Sequence, residues 1–437
     1  MDKSNFIHIT NSIKDDVKFQ LYINEQESNQ ITISDGDVTQ YSNGKYTEVS
    51  LKYQRNGKFY ESKSTDNSDL GIKKLLDEAY RIAELNSIKE YYFYKGGEIY
   101  SIKDYAFDEE NIYRQALEAI RVINKKEGEK INAIINIEYG INKISIFNSI
   151  GGIGIWQIPY MQANAQIYIN NGYNTSFATK SFSTLDANNA DMIDIVDSAH
   201  KEAEAQQIES KHIEQFVGPV VFSNAAVAHI ATSLILSIST PHISANKSFN
   251  KDLEKDKTVG SEKLTIYEDP EMKGSIYSRP FDDQLVPTFK KALVENGTVK
   301  TYLNDLKSAI KTDVRPTGNA FKIHDSIDGM QYAGIFITNA IVSNGQTNPE
   351  ELIRNLEKGV YIHSINYPNP LNGKFTESFR GYYIENGKIK YLIKNGFIKS
   401  NLTDILNNIS DCGSELKRLS QIMAPSILAE DITISSL

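Results

Sequence analysis

Apolar side chains alternate with polar ones along the early part of the chain, as they do in half-buried β-strands. They occupy every second position in residues 17–23 and again in residues 49–53. The dipeptides Asn43-Gly44 and Asn56-Gly57 flank the second segment. Because Asn-Gly readily adopts the positive φ angles of a two-residue turn, we predict a β-hairpin at each of these places.

The spacing of apolar residues then changes to the period that is typical of helices. It predicts helices in residues 75–83, after the N-cap Ser68, in residues 113–123 and in residues 192–199. Residues 131–148 have strand composition, and residues 244–263 are a polar loop. Asn386-Gly387 lies between two strand-like segments and predicts a further hairpin.

This order of elements predicts an α+β fold with two domains. The first is an N-terminal α/β domain with a mixed sheet and helices, in residues 1-195. The second is a C-terminal domain rich in antiparallel β structure, in residues 196-437.

The composition is that of a soluble globular protein, with 40% hydrophobic residues, 24% charged residues and a net charge of −9. The negative charge argues against nucleic-acid binding. The most apolar segment, residues 225–238, is shorter than the about 20 residues that a membrane-spanning helix needs. The single cysteine, Cys412, excludes an internal disulfide. Since MDKSNFIHIT is not a secretory signal, we expect a cytoplasmic protein that binds no membrane.

The histidines do not form the pattern of a zinc-peptidase helix. Such a helix carries two histidines one turn apart, with a glutamate that activates water after the first. None of the seven histidines here is followed by Glu. His229 lies in the apolar segment 225–238, but Ser233, one turn later, is a poor zinc ligand. We therefore predict no metal site, keep His229 as a weak metal candidate, and prefer a buried, hydrogen-bonded histidine as its interpretation.

Other reactive residues give no catalytic site either. Cys412 has no neighbouring base that would activate its thiol. The carboxylate pairs Glu268-Asp269 and Asp282-Asp283 are adjacent residues, and adjacent side chains on a strand point to opposite faces. The residue patterns alone thus predict an α+β protein and leave its function open.

Several segments of the second half resemble the TldD/PmbA family, and they occur in the family's order. They read LTIYEDP, SRPFDDQLVPTF, VENG, YLNDLKSA, PTGNAFK, FITNAIVSNGQTNPEELI, GKFTESFRGYYIENGKI and APSILAEDITIS. The first half is similar more weakly, in SDGDVTQYS and IFNSIGG. Gln284 and Leu285 depart from the Glu-Gly that follows the paired aspartates in the family pattern.

The resemblance implies a particular kind of subunit. TldD-type chains of the family carry an HExxxH zinc helix and a later cysteine ligand, whereas TldE/PmbA-type chains lack both. Here the corresponding helix reads VVFSNAAVAHIATSLILSIST, Met423-Ala424 stands at the position of the cysteine, and Cys412 lies upstream of it. The resemblance therefore implies a non-catalytic TldE/PmbA-like subunit that binds no cofactor. Its partner would be a TldD-type catalytic subunit whose zinc site trims unfolded or modified peptides.

The matching segments also supply candidates for a peptide cleft between domains or for a subunit interface. These candidates are Arg279, Phe281, Asp282, Thr338 and Asn339. Each has a structural alternative, since Asp282 can cap a turn and Asn339 can close a loop.

Two other functions stay open. The chain can be a stand-alone homodimer that binds peptides without cutting them. It can also be a peptidase with a degenerate metal site that uses some of His229, His242, His324 and His363.

Overall fold

The computed structural model describes residues 17–83, 91–104, 106–124, 130–172, 175–187, 190–254, 256–324, 331–366 and 373–436. The strands within these residues are β1 (Val17–Ser34), β2 (Asp37–Arg55), β3 (Lys58–Ser64), β4 (Glu98–Ile102), β5 (Lys130–Asn148), β6 (Ile153–Asn170), β7 (Thr175–Thr184), β8 (Ser210–Lys211), β9 (Phe216–Phe222), β10 (Ile266–Glu268), β11 (Lys291–Glu295), β12 (Thr298–Val299), β13 (Ala320–His324), β14 (Gln331–Ile335), β15 (Ala340–Val342), β16 (Lys358–Ile365), β17 (Lys374–Glu385), β18 (Lys388–Ile393), β19 (Gly396–Asn401), β20 (Ile409–Cys412), β21 (Lys417–Leu419), β22 (Ile422–Ala424) and β23 (Ile427–Ser436). The helices are α1 (Asp69–Ala83), α2 (Glu109–Asn124), α3 (Met192–Ala205), α4 (Asn224–Ser237), α5 (Thr240–Ser244), α6 (Leu306–Thr312), α7 (Pro349–Arg354) and α8 (Leu402–Asn407).

The chain forms two compact units, and neither is one continuous stretch. The first unit comprises Met1–Lys201, Lys273–Thr288 and Asp305–Gly334, and the second comprises Glu202–Met272, Phe289–Asn304 and Ile335–Leu437. The sequence-based boundary between residues 195 and 196 stays a prediction.

The first unit is built on a seven-stranded mixed sheet. Its order is β3-β2-β1-β5-β6-β4, and β7 also pairs with β6. β4 runs parallel to β6, whereas the neighbouring strands of the β3-to-β6 series run antiparallel. Helix α1 packs on β2 and β3, and α2 packs on β5. Both helices bury an apolar stripe, which includes Ile72 and Ala79 of α1 and Ala116 and Ile120 of α2.

The second unit contains two sheets. A six-stranded sheet has the order β12-β11-β10-β15-β22-β21. In an eight-stranded sheet, β16 pairs with both β9 and β17, so the series β16-β9-β23-β19-β17 closes on itself. Most of these pairs are antiparallel, and β15–β22 and β16–β9 are parallel.

Helix α4 is the apolar centre of the second unit. It contacts β9 and β16 of one sheet and β21 and β22 of the other. A helix that packs on two sides needs apolar residues around most of its circumference, as α4 has. Its N-cap is Ser223, whose side chain accepts a hydrogen bond from the Ala226 N–H. Among the described residues, no helix is both long enough and apolar enough to cross a membrane.

The predicted α+β fold is confirmed: 47% of the residues lie in strands and 22% lie in helices. The hairpins at Asn56-Gly57 and Asn386-Gly387 are present, and both asparagines have φ of 50°. The hairpin predicted at Asn43-Gly44 is wrong. These two residues lie inside β2, paired with Asn29 and Ser28 of β1, and the chain turns instead at Asp35-Gly36. Asp35 and Gly36 have the positive φ angles, 52° and 100°, which a tight turn requires.

Candidate functional site

Arg279 is held between a carboxylate and aromatic rings of the first unit. Its side chain is 13% exposed, and its Nη2 lies 2.8 Å from Asp283 Oδ1. The guanidinium carbon is 4.9 Å from the ring centre of Phe321 and 5.1 Å from that of Trp156. Aromatic faces attract a cation, and the planar guanidinium stacks on them. The Trp156 indole also donates to the Ser278 carbonyl at 3.1 Å. Trp156 therefore contacts both Ser278 and Arg279.

Asp282 organises the following turn with a buried carboxylate. Oδ1 accepts hydrogen bonds from the backbone N–H groups of Gln284 at 2.9 Å and Val286 at 3.0 Å. Oδ2 accepts from the N–H of Ala320 at 3.0 Å. Burial raises the pKa of Asp282 to about 7, against the opposing effect of these three donors. The side chain therefore joins the turn to strand β13 and titrates near neutral pH.

Phe281 belongs to the core of the first unit. It is fully buried in an apolar cluster with Tyr22, Trp156 and Leu285. The backbone of Gly154 lies directly beneath: a Cβ there would be 2.4 Å from Leu285 Cδ1 and 2.9 Å from Phe281 Cζ. The glycine is thus required by close packing.

Thr338 binds a fully buried ion pair in the second unit. Lys291 Nζ lies 2.8 Å from Glu268 Oε2, and the two side chains are 3% and 0% exposed. The other carboxylate oxygen, Oε1, accepts from the Thr338 N–H at 2.7 Å and from its hydroxyl at 2.9 Å. Lys291 also donates to the Phe289 carbonyl at 3.1 Å. Buried charges need this degree of pairing, because isolated ones cost several kcal/mol.

Asn339 links the same sheet to an arginine. Its Nδ2 donates to the Asp269 carbonyl at 3.0 Å, and its Oδ1 accepts from Arg418 Nη1 at 3.1 Å. The backbone N–H of Asp269 in turn donates to the Asn339 carbonyl at 2.8 Å. Both ends of the amide are therefore used in closing the junction of β10 and β15.

His229 lies on α4, on the half-buried side that also carries Ala225 and Thr232. Burial lowers the pKa of its imidazole, so the ring is neutral at pH 7. The residue after it is Ile230, and the hydroxyl of Ser233 donates to the His229 carbonyl at 2.9 Å. The helix therefore offers one imidazole with no carboxylate beside it.

Comparisons with known proteins identify the family. Residues 216–436 match the model of the PmbA/TldA metallopeptidase C-terminal domain, and residues 19–83 match that of PmbA/TldA metallopeptidase domain 1. This chain belongs to the PmbA/TldD family. The family resemblance of the sequence is confirmed, over both halves of the chain.

Curated relatives agree with the family assignment. A metalloprotease of Methanocaldococcus jannaschii is 26% identical over 88% of this chain and 87% of its own length. A PmbA homologue of Buchnera aphidicola, also named a metalloprotease, is 28% identical over 52% of this chain. That match spans only 48% of the Buchnera protein.

Solved structures share the PmbA/TldD fold over the whole chain. A Thermotoga maritima protein has a TM-score of 0.84 at 24% identity, covering 99% of this chain and 100% of its own. TldE from Thermococcus kodakarensis has a TM-score of 0.83 at 17% identity, covering 99% of both chains. At these identities the likeness establishes the fold.

The residues near His229 do not fit a zinc ion of an HExxxH site. The motif places its histidines five residues apart, and the residues five before and five after His229 are Asn224 and Leu234. The Asn224 amide donates to Glu415 and to the Ala424 carbonyl, and Leu234 is fully buried. Within the described ranges, no three His, Cys, Asp or Glu side chains are placed to hold a metal.

The remaining metal candidates have other surroundings. Burial raises the pKa of the Cys412 thiol to about 11, so this thiol is protonated at neutral pH. His363 pairs with Glu202, Nε2 to Oε1, at 2.8 Å. Burial lowers the pKa of His242. The side chain of His324 lies outside the described residues.

The five cleft candidates are divided between the two units. Arg279, Phe281 and Asp282 lie in the first, where they fix one loop, and Thr338 and Asn339 lie in the second, where they brace one sheet. All five have partners within their own unit, so their part in peptide binding stays a prediction. The sequence reasoning missed Lys291, Arg418 and Trp156 as partners. The segments EDP and RPFDD indicated the carboxylates of Glu268, Asp282 and Asp283 as candidates. No pattern nearby in the sequence indicated the residues that bind them.

Proposed function

We propose that this chain is the non-catalytic, TldE/PmbA-like subunit of a zinc metallopeptidase, and that it pairs with a TldD-type catalytic subunit to trim unfolded or modified peptides. One observation carries the proposal. In a member of a metallopeptidase family, the buried helix α4 presents His229 without a following glutamate and without a second histidine at the HExxxH spacing.

The packing around α4 supports an intact fold whose helix lacks the ligands. Ser223 caps the helix, and Asn224 is fixed by Glu415, whose Oε1 also accepts from the N–H and hydroxyl of Ser426. Leu234, at the position of a second ligand, is part of the apolar core. A zinc ion is thus expected in the partner subunit, and the net charge of −9 favours a peptide over a nucleic acid as the substrate.

Co-expression with a TldD-type chain tests the proposal. Affinity purification through a tag on this chain should recover both proteins as a heterodimer by light scattering. Elemental analysis should find stoichiometric zinc in the complex and none in the isolated chain, and peptidase activity should require both. As a control, a TldD-type partner with its HExxxH histidines replaced by alanine should still pair but should not cleave.

The other two functions make opposite predictions. Zinc and peptidase activity in the isolated chain would establish a degenerate metal site and overturn the proposal. A stable homodimer that binds peptide but has no affinity for a TldD-type chain would establish a stand-alone binding protein.

A further inference from the structure

The dipeptide Asn-Gly can rearrange in water without an enzyme. The backbone nitrogen of the glycine attacks the side-chain carbonyl carbon of the asparagine, and ammonia leaves. Asparagine is therefore a thermolabile residue, and a glycine after it has no side chain that would obstruct the attack. Whether one Asn-Gly reacts in a folded protein depends on how firmly the structure holds that nitrogen. The dipeptide occurs here at residues 43–44, 56–57, 171–172, 296–297, 344–345, 372–373, 386–387 and 395–396.

Three of these dipeptides form two-residue turns with almost identical backbones. They join β2 to β3, β11 to β12 and β17 to β18. The φ angles of Asn56, Asn296 and Asn386 are 50°, 49° and 50°, and those of the glycines that follow are 73°, 73° and 67°. Because the three turns share dipeptide and conformation, a difference in their reactivity must come from their surroundings.

Two of these turns are hydrogen-bonded to another segment of the chain. The Gly297 N–H donates to the Leu264 carbonyl at 2.8 Å, and the Gly387 N–H donates to the Leu356 carbonyl at 2.8 Å. The backbone N–H groups of the two preceding asparagines are bound as well. Since the attacking nitrogen must lose its proton and move towards the side chain, these hydrogen bonds oppose the reaction.

The turn at Asn56-Gly57 has no such anchor. Both residues are exposed, and the paired residues Arg55 and Lys58 close the turn. Within the residues that the structure describes, neither the Gly57 N–H nor the Asn56 side chain takes part in a hydrogen bond. Local motion of the turn can therefore bring the Gly57 nitrogen to the Asn56 side chain without breaking a tertiary contact.

The other described Asn-Gly dipeptides are held in place. The N–H groups of Gly172 and Gly345 each donate a hydrogen bond of 2.8 Å. Gly44 and Gly396 are paired within β2 and β19, and the attack would rotate their peptide groups out of the strand pairing. Asn372 lies outside the described residues.

We propose that Asn56 is a site of spontaneous deamidation, with Gly57 as the internal nucleophile and water as the only other reactant. The Gly57 nitrogen gives up its proton and forms a bond to Asn56 Cγ. The bond from Cγ to Nδ2 breaks, and Nδ2 leaves as ammonia. Water then opens the resulting cyclic imide at either carbonyl, which gives aspartate or isoaspartate with no change of oxidation state. This chemistry depends on no partner subunit.

Isoaspartate does not fit the turn between β2 and β3. It routes the backbone through the side-chain carbonyl and so adds one carbon between Arg55 and Lys58. The register of a hairpin is set by its turn, and these two residues are paired across a loop of two residues. The modified chain therefore loses strand pairing at this end of the hairpin. Because the product accumulates with time, the turn marks old molecules.

Ageing of the native, full-length chain in mildly alkaline buffer tests the proposal. The buffer contains water labelled with heavy oxygen, which distinguishes new product from earlier damage. Chymotryptic digestion and mass spectrometry then compare the conversion of Asn56, Asn296 and Asn386 in one sample. We expect Asn56 to react about fivefold faster or more, which is the rate equivalent of about 1 kcal/mol for the hydrogen bond that the other two turns must break.

Unfolding supplies the matched control. In concentrated guanidinium chloride the tertiary hydrogen bonds are lost, so the three rates should converge. Equal rates in the folded chain would overturn the proposal. A preference for Asn56 that persists undiminished in the unfolded chain would also overturn it, because neighbouring sequence would then be the cause.

The variant Asn56→Asp separates the new charge from the altered backbone. Asp-Gly suits the same turn, so this variant should unfold at the urea concentration of the fresh native protein. Aged protein enriched in isoaspartate should unfold at a lower concentration, followed by fluorescence of Trp156 in the first unit. Equal midpoints for the aged protein and N56D would overturn the inferred loss of strand pairing.

Discussion

Replacing Lys291 by methionine leaves a buried carboxylate without its ionic partner. The native Nζ lies 2.8 Å from Glu268 Oε2, and neither side chain has appreciable contact with water. Removing one member of a buried ion pair typically costs about 3–5 kcal/mol, because the other charge stays desolvated. Glu268 keeps its two hydrogen bonds from Thr338, so we expect a cost near the lower end, about 3 kcal/mol.

Equilibrium urea unfolding followed by far-UV circular dichroism measures this loss. Fluorescence of Trp156, the single tryptophan, reports on the first unit separately. The neighbouring residue supplies a matched control. Lys290 pairs with Asp269 at 3.2 Å but is 67% exposed, so Lys290→Met should change the free energy of unfolding by less than about 1 kcal/mol.

A double-mutant cycle identifies the source of the effect. Glu268→Gln removes the carboxylate charge, and its combination with Lys291→Met should cost less than the sum of the two single changes by at least about 1 kcal/mol. Additive costs, or equal costs for Lys290→Met and Lys291→Met, would refute the reasoning that the buried pair stabilises this sheet.

Three further changes test the local structure. Asp282→Asn should cost about 1–3 kcal/mol at acidic pH, because an amide cannot accept all three backbone hydrogen bonds. The pKa of Asp282 is about 7 in the folded protein, whereas the ordinary pKa of an aspartate is 3.8. The free energy of unfolding of the native protein should therefore fall as pH rises between these two values, and D282N should lack this fall in urea titrations. Gly154→Ala should cost about 1–3 kcal/mol in thermal unfolding, since its Cβ meets Leu285. Ser223→Ala should cost about 1 kcal/mol by loss of the helix cap, and Ser223→Thr should restore most of it.

Each of these predictions has a contradicting result. A pH dependence that is the same in native protein and D282N would exclude Asp282 as the titrating group. If Gly154→Ala causes no loss of stability, the loop that carries Phe281 and Leu285 can move away from the sheet. Equal stability of the alanine and threonine variants at 223 would exclude the hydroxyl as the cap.

The sequence predicted those features that depend on neighbouring residues. The alternation of apolar and polar residues predicted β1 and β2, and the helical spacing of apolar residues predicted α1 and α2. Asn56-Gly57 correctly predicted a hairpin. The hairpin predicted at Asn43-Gly44 is absent because a long strand tolerates this dipeptide when the register of the strand is fixed elsewhere. Here the turn at Asp35-Gly36 fixes the register of β2 with β1.

The candidate residues could be found from the sequence, but their partners could not. Glu268 and Lys291 are separated by 22 intervening positions and meet only because β10 pairs with β11. Asp282 binds the backbone at Ala320, which no local pattern indicates. The Asn-Gly turns are likewise alike in sequence, and tertiary hydrogen bonds distinguish Asn296 and Asn386 from Asn56.

The discontinuous first unit has a consequence for synthesis. Phe281 and Leu285, which cover Tyr22 and Trp156, belong to a segment that the ribosome makes after all seven strands of the sheet. Until that segment emerges, the newly made sheet presents an apolar patch to the surrounding solution. Exposed patches of this kind favour aggregation of incomplete chains. Chaperone capture of the nascent chain should therefore be strongest between the completion of β7 and the appearance of residue 288.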